Sequence, residues 1–132
     1  MRVLLVDGYD QTDPDCSVVS QVTKTLLNAD HVVTRIAVRT EGFSSPMSEA
    51  ERRCYHDEGS NMLVEDVVLA ARQVQETEAL LFCYPSSMFT VPAALKNWFD
   101  RVLLPGVAFT IDAEGTLRSR LKYINRLGVI TT

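Results

Sequence analysis

The stretch Leu80–Phe109, LLFCYPSSMFTVPAALKNWFDRVLLPGVAF, constrains this chain more than any other. Residues 79–84 are a continuous apolar run, which predicts a strand buried on both faces. Pro85 to Thr90 is a polar turn. A helix is predicted from about Val91 to Leu104, because Leu95, Trp98, Phe99, Val102 and Leu103 recur at helical spacing and Pro105-Gly106 stops them. Pro92 falls in the first turn, where its missing N–H costs little. Lys96 and Asp100 make an i, i+4 pair on another face. A strand opening directly into a helix leaves turn N–H groups free to donate, and in open parallel sheets ligands sit at such carboxyl ends.

The rest of the chain repeats this alternation. Val3–Val6 reads as a central strand ended by Asp7-Gly8, and residues 7–16 as a polar loop. Ser17 suits a helix N-cap, with Val18, Val22 and Leu26 following at helical spacing and Val19 and Leu27 widening the stripe. His31–Val38 alternates and is β-branched, the signature of a second strand. Ser48-Glu49-Ala50-Glu51 is a capping box opening a short charged helix. A longer helix follows, with Leu63, Val64, Val67, Val68, Ala71 and Val74 on one face and Glu65 and Asp66 in its first turn. Residues 110–120 read as a turn-rich loop, and residues 127–131 as a fourth strand. Alternating strands and helices predict one α/β domain, a parallel sheet covered by helices on both faces. A chain of 132 residues, 46% apolar and 23% charged, suits one such soluble core.

The bulk properties exclude several classes of function. A net charge of −4 leaves no basic stripe for nucleic acid. Three cysteines without a CxxC pair, and two histidines without ligand spacing, suggest no disulfide framework and no metal site. Cys83, inside a strand, reads as an inert core thiol. The short N-terminal apolar run is neither a signal-peptide core nor a membrane span, so a cytoplasmic location is expected.

Three places could carry chemistry. Ser17, at a helix start after a loop, suits an anion, but a plain N-cap is the better reading of the residue alone. Asp7, Asp10, Asp13 and Asp15 oppose a phosphate unless they point away, and no P-loop or Rossmann glycine pattern is present. These acids also suit a magnesium-binding receiver domain, but the third strand ends in Tyr84-Pro85 where such a domain needs an aspartate. In the Pro85–Thr90 turn, Met88 and Phe89 either line a ligand or belong to a surface loop with Phe89 packed inward. Tyr55-His56 suits a solvent-facing pair better than a catalytic one, and no hydrolytic triad spacing exists.

Tyr84-Pro85, Phe89, Val91-Pro92-Ala93, Leu95-Lys96, Trp98, Asp100-Arg101-Val102, Pro105-Gly106 and Ala108-Phe109 together resemble the signature of flavodoxin-like NAD(P)H:quinone oxidoreductases. Gly42-Phe43, Pro46-Met47-Ser48, Glu51 and Tyr55-His56 are similar to a second stretch of that family. The resemblance implies a flavodoxin-like three-layer sandwich with strand order 2-1-3-4(-5). It also implies a flavin, FMN or FAD, at the carboxyl edge. Ser17, Val18 and Val19 would hold the phosphate, and Pro85, Ser86, Ser87, Met88 and Phe89 would run along the ring. NAD(P)H would be the co-substrate, a quinone or another small-molecule electron acceptor the oxidant, and a homodimer the assembly. Three departures stand out: Met88 replaces a tryptophan, Tyr9 lies near a histidine position, and the family's fifth strand would follow Thr132, so the domain is expected to continue. The alternative is a non-catalytic flavodoxin-like dimerisation or regulatory module without flavin.

Overall fold

The computed structural model describes residues 1–10 and 17–132. Asp13, Asp15 and Cys16 lie outside the described residues. In chain order the elements are β1 (Arg2–Asp7), α1 (Val18–Asn28), β2 (Val32–Ala37), α2 (Glu49–Arg53), α3 (Glu65–Gln75), β3 (Ala79–Tyr84), α4 (Ala93–Val102), β4 (Phe109–Ile111), β5 (Leu117–Ser119) and β6 (Arg126–Thr131).

The main sheet has four parallel strands in the order β2-β1-β3-β6, so the expected 2-1-3-4 order holds, with β6 as the fourth strand. Period-2 alternation divides its side chains between two cores. Leu4, Val6, Ile36, Leu80 and Phe82 face α3 and α4, and meet Val67, Ala70, Ala71 and Val74 of one helix and Leu95, Trp98 and Val102 of the other. Leu5 and Cys83 face the opposite side and meet Val19 of α1. The two strands read as continuous apolar runs are therefore the central pair, enclosed on both faces.

The caps agree closely with the sequence. Ser17 caps α1 by accepting the Ser20 N–H at 3.0 Å. Ser48 and Glu51 form the expected capping box on α2. Two expectations need correction. Leu63 is half-exposed and precedes α3, whose N-cap is Val64, so the helix begins at Glu65 and its buried stripe is Val67, Ala70, Ala71 and Val74. Residues 110–120 are not a loop. They hold the antiparallel hairpin β4–β5, in which Phe109 lies opposite Ser119 and Ile111 opposite Leu117. Its turn is closed by Asp112, whose Oδ1 accepts the Glu114 and Thr116 N–H groups at 3.0 and 2.9 Å.

Candidate active site at the carboxyl edge

The parallel sheet brings the ends of β1, β3 and β6 to one edge. Asp7, buried at the end of β1, anchors the start of the first loop. Its Oδ1 accepts the Tyr9 N–H at 2.8 Å, and its Oδ2 accepts Arg35 Nε at 3.0 Å and Nη2 at 2.5 Å. A buried carboxylate needs such partners, and with Arg35 beside it Asp7 does not leave a bare negative charge under the first loop. Gly8 then lies against β3: its N–H donates to the Cys83 carbonyl at 2.8 Å, and a Cβ on it would stand 2.9 Å from Tyr84 Cβ. Only glycine permits that approach. Arg39 donates to the Gly8 carbonyl at 3.0 Å and holds the loop from the side of β2. Burial, reinforced by the Asp7 charge, pushes the Cys83 thiol up to about 11, in keeping with an inert core thiol.

Ser17 stands at the open end of α1 with extended backbone. Its Oγ accepts from Ser20, which leaves the hydroxyl hydrogen to donate elsewhere. The N–H groups of Val18 and Val19 are in the first helical turn, where no intrahelical acceptor exists, and none bonds them among the described residues. The side chain of Val19 is buried in the core while its N–H stays at the helix end. Helix polarity and free donors together make this end suited to an anion.

The turn after β3 has the least ordinary backbone among the described residues. Ser87 and Thr90 exchange two hydrogen bonds, N–H to carbonyl at 2.8 Å and 2.9 Å. Between them Met88 and Phe89 both have positive φ, 46° and 66°. Two positive φ values in a two-residue connection form a turn that normally takes asparagine or glycine. Bulky residues there store roughly 1–3 kcal/mol each. Both side chains project into solvent, so of the two readings left open by the sequence the one with Phe89 packed inward does not hold: Phe89 is fully exposed. The N–H groups of Met88 and Phe89 bond nothing among the described residues. Met88→Gly is expected to raise stability by about 1 kcal/mol, since relief of the strain exceeds the entropy that glycine adds to the unfolded chain; chemical denaturation measures it, and a loss of stability would contradict the assigned strain.

Tyr55 and His56 meet edge to face at 5.0 Å. Tyr55 lines an open recess of about 280 Å³ with Met47, Arg52 and Asp100. No hydrogen bond among the described residues joins either one to the Pro85–Phe89 turn. Sequence reasoning missed a different group. Arg101, buried on α4, donates Nε to Glu51 Oε2 at 2.9 Å, Nη2 to Glu51 Oε1 at 3.3 Å, and Nη1 to the Gly42 and Ser45 carbonyls at 2.8 and 3.4 Å. Its guanidinium also lies 5.5 Å from the centre of the Phe43 ring. Asn97 adds a 2.9 Å bond to the Phe43 carbonyl. Together these tie residues 42–48, which leave β2, onto the helix that comes after the strained turn. The available signal was Arg101 itself, three residues after Trp98 and inside the apolar stripe, where a cation needs a buried partner.

Comparison with known proteins bears directly on this edge. A family model described as flavodoxin-like fold matches residues 1–132. The chain belongs to that family. The resemblance read from Tyr84 to Phe109 is thereby borne out. The chain is 38% identical over 66 residues to ribosyldihydronicotinamide dehydrogenase [quinone] of Rattus norvegicus, a match that takes in 48% of this chain and 29% of the relative. It is 37% identical over 68 residues to FMN-dependent NADH:quinone oxidoreductase 3 of Pseudomonas aeruginosa, covering 52% of this chain and 28% of the relative. Among solved structures, NAD(P)H:quinone oxidoreductase from Methanothermobacter marburgensis superposes with a TM-score of 0.84 at 26% identity, over 99% of this chain and 66% of that one. This flavodoxin-like chain thus matches less than two thirds of each of these relatives. Among its described residues no helix is long and apolar enough to cross a membrane, and no group of three or more His, Cys, Asp or Glu could hold a metal ion.

Proposed function

We propose that this chain supplies the flavin-binding edge of an NAD(P)H-dependent reductase acting on quinones or similar acceptors such as azo compounds. The observation that carries the reading is the pairing, at one sheet edge, of two sets of donors that have no acceptor among the described residues. The open end of α1 offers the Ser17 hydroxyl and the Val18 and Val19 N–H groups. The turn after β3 offers the Met88 and Phe89 N–H groups beside two exposed apolar side chains. These residues fit a ligand with a phosphate at one end and a flat ring with polar edges at the other. They lie where β1 and β3, adjacent in the sheet, send their connections to helices on opposite faces, the usual crevice of such sheets.

Bound there, a flavin supplies the hydride acceptance and electron delivery that no side chain of this chain can perform. The chain's own part is to bind and to tune. Ser17 with the first turn of α1 neutralises the phosphate, and donors in the turn favour negative charge on the ring. Pro85 begins the turn, and Ser86 ties it to the end of β6 by donating to the Thr132 carbonyl. The names of the relatives favour FMN over FAD as the cofactor and a quinone as the acceptor. A homodimer suits the exposed Met88 and Phe89, which would then be shielded from water.

The test is spectroscopic. Protein mixed with FMN or FAD and then desalted is expected to retain flavin absorbance, FMN more tightly, and to oxidise NADH or NADPH with a quinone present. A colourless desalted protein without nicotinamide-dependent quinone reduction would overturn the reading.

A further inference from the structure

The net charge of −4 is unevenly placed along the chain. Residues 115–132 carry Arg118, Arg120, Lys122 and Arg126 and no Asp or Glu. All four cations are exposed. Arg118 pairs with Asp112 of the hairpin turn at 3.1 Å, and Arg126 donates Nη1 to the Asn125 carbonyl at 3.0 Å. The side chains of Arg120 and Lys122 make no hydrogen bond or ion pair among the described residues. Their backbone is nevertheless fixed. The Arg120 N–H donates to the Ala108 carbonyl and the Asn125 N–H to the Glu78 carbonyl, each at 2.9 Å. Leu121 and Ile124 pack against the core of α3 and α4. Two apolar side chains accompany these charges. Ile111 and Leu117 stand opposite each other in the β4–β5 hairpin, and each is at least half exposed. Three residues span at most about 10 Å, so Leu117 and Arg120 lie within about one Debye length of each other.

We propose that the hairpin and the segment after it, residues 111–126, form a docking surface for an anionic phospholipid bilayer. Cations are drawn to acidic headgroups, and apolar side chains beside them enter the boundary between headgroups and acyl chains. The charges set the sign of the partner. The Ile111–Leu117 pair sets its nature, because a bilayer takes up exposed apolar side chains whereas the phosphate backbone of a nucleic acid does not. Asp112 is offset by Arg118, and Glu114, beside it in the turn, is the acid that opposes the attraction. The attachment is peripheral and weakened by salt. None of these residues belongs to the flavin-binding edge. For a reductase of quinones, such a surface gives access to acceptors dissolved in a bilayer.

The experiment is co-sedimentation with vesicles of phosphatidylcholine alone and of phosphatidylcholine with phosphatidylserine, at about 0.1 M and about 1 M salt. The wild-type protein is expected to bind the serine-containing vesicles at the lower salt, to leave them at the higher, and to ignore the neutral ones. Arg120→Gln and Lys122→Gln are each expected to weaken binding about 5-fold. Leu117→Asn is expected to weaken it by a similar factor. The charge-preserving double variant Arg120→Lys with Lys122→Arg is expected to bind as the wild type does. Binding that is equal for both vesicles, or absent from both, overturns the proposal, and so do glutamine variants that bind like the wild type. Loss in the charge-preserving variant ties these residues to folding and also overturns it. A duplex oligonucleotide that displaces the vesicles, with Leu117→Asn still binding them as the wild type does, marks a general polyanion surface and overturns the lipid assignment. FMN retention is read separately on the same proteins. Retained flavin in a protein that ignores vesicles leaves the flavin reading standing, and vesicle binding by a colourless protein leaves the docking surface standing.

Discussion

Replacing Arg101 with alanine should lower the unfolding free energy by about 3–5 kcal/mol, the usual effect of taking one partner from a buried ion pair. Four hydrogen bonds leave Arg101, two to the Glu51 carboxylate and two to backbone carbonyls of the segment after β2. Both side chains are more than nine-tenths buried. With the cation gone, Glu51 is left as a buried charge whose remaining partner is its own capping residue, Ser48. The pH dependence gives a second readout. In the intact protein burial pushes the Glu51 carboxyl up, but the Arg101 hydrogen bond, the Ser48 N–H and the Arg101 charge together outweigh it and hold the group below its ordinary value of 4.5. A carboxyl lowered on folding contributes stability that is complete above its ordinary value and is lost as pH falls from there through the folded value. In Arg101→Ala both Arg101 contributions are gone and only the Ser48 hydrogen bonds oppose burial, so the carboxyl should rise and the stability lost on acidification should shrink. Urea melts of both proteins between acid and neutral pH measure the two effects together. A variant as stable as the parent, with the same pH slope, would remove the pair from any structural role.

The second large effect is expected at Trp98. Its side chain is fully buried and meets Phe82 and Phe99 edge to face, with ring centres 5.8 and 5.9 Å away. Trp98→Ala should cost about 3–5 kcal/mol in lost burial and cavity formation. Trp98→Phe separates two contributions. The indole Nε1 is buried without a hydrogen-bond partner among the described residues, and such a stranded donor is itself unfavourable by about 1–3 kcal/mol. Phenylalanine removes volume and the orphan together, so its net loss should be less than half that of alanine. Denaturant midpoints at constant slope decide the matter. Equal losses for the two variants would mean that the N–H is satisfied in solution.

Much of the architecture was legible because it depends on neighbours in sequence. Val3–Val6 and Ala79–Tyr84 are too continuously apolar to be edge strands, which assigns them to the middle of the sheet from residue types alone. Ser17 and Ser48 announced their helices through chemistry confined to three residues. What escaped depends on longer range or on unfavourable local geometry. The Glu51–Arg101 pair spans 50 positions, and either residue alone looks like ordinary surface charge. The hairpin was hidden because its strands are three residues each and largely exposed, so no burial pattern marks them. The backbone of Met88 and Phe89 was unreadable for a stronger reason: neither residue type favours positive φ, and only the Ser87–Thr90 bonds and the departure of α4 impose it. The residues of the proposed site could therefore be named from the sequence, whereas the arrangement of their donors could not.

That turn has a thermodynamic consequence. Met88 and Phe89 hold their unfavourable conformation within the fold itself, so the work of arranging those two N–H groups is done when the chain folds. Under the proposed flavin-binding role, affinity and stability pull against each other at these two positions. A substitution that lets the backbone relax makes a sturdier protein whose donors must be ordered afresh at each binding event, and the strain itself becomes a quantity on which selection for binding can act.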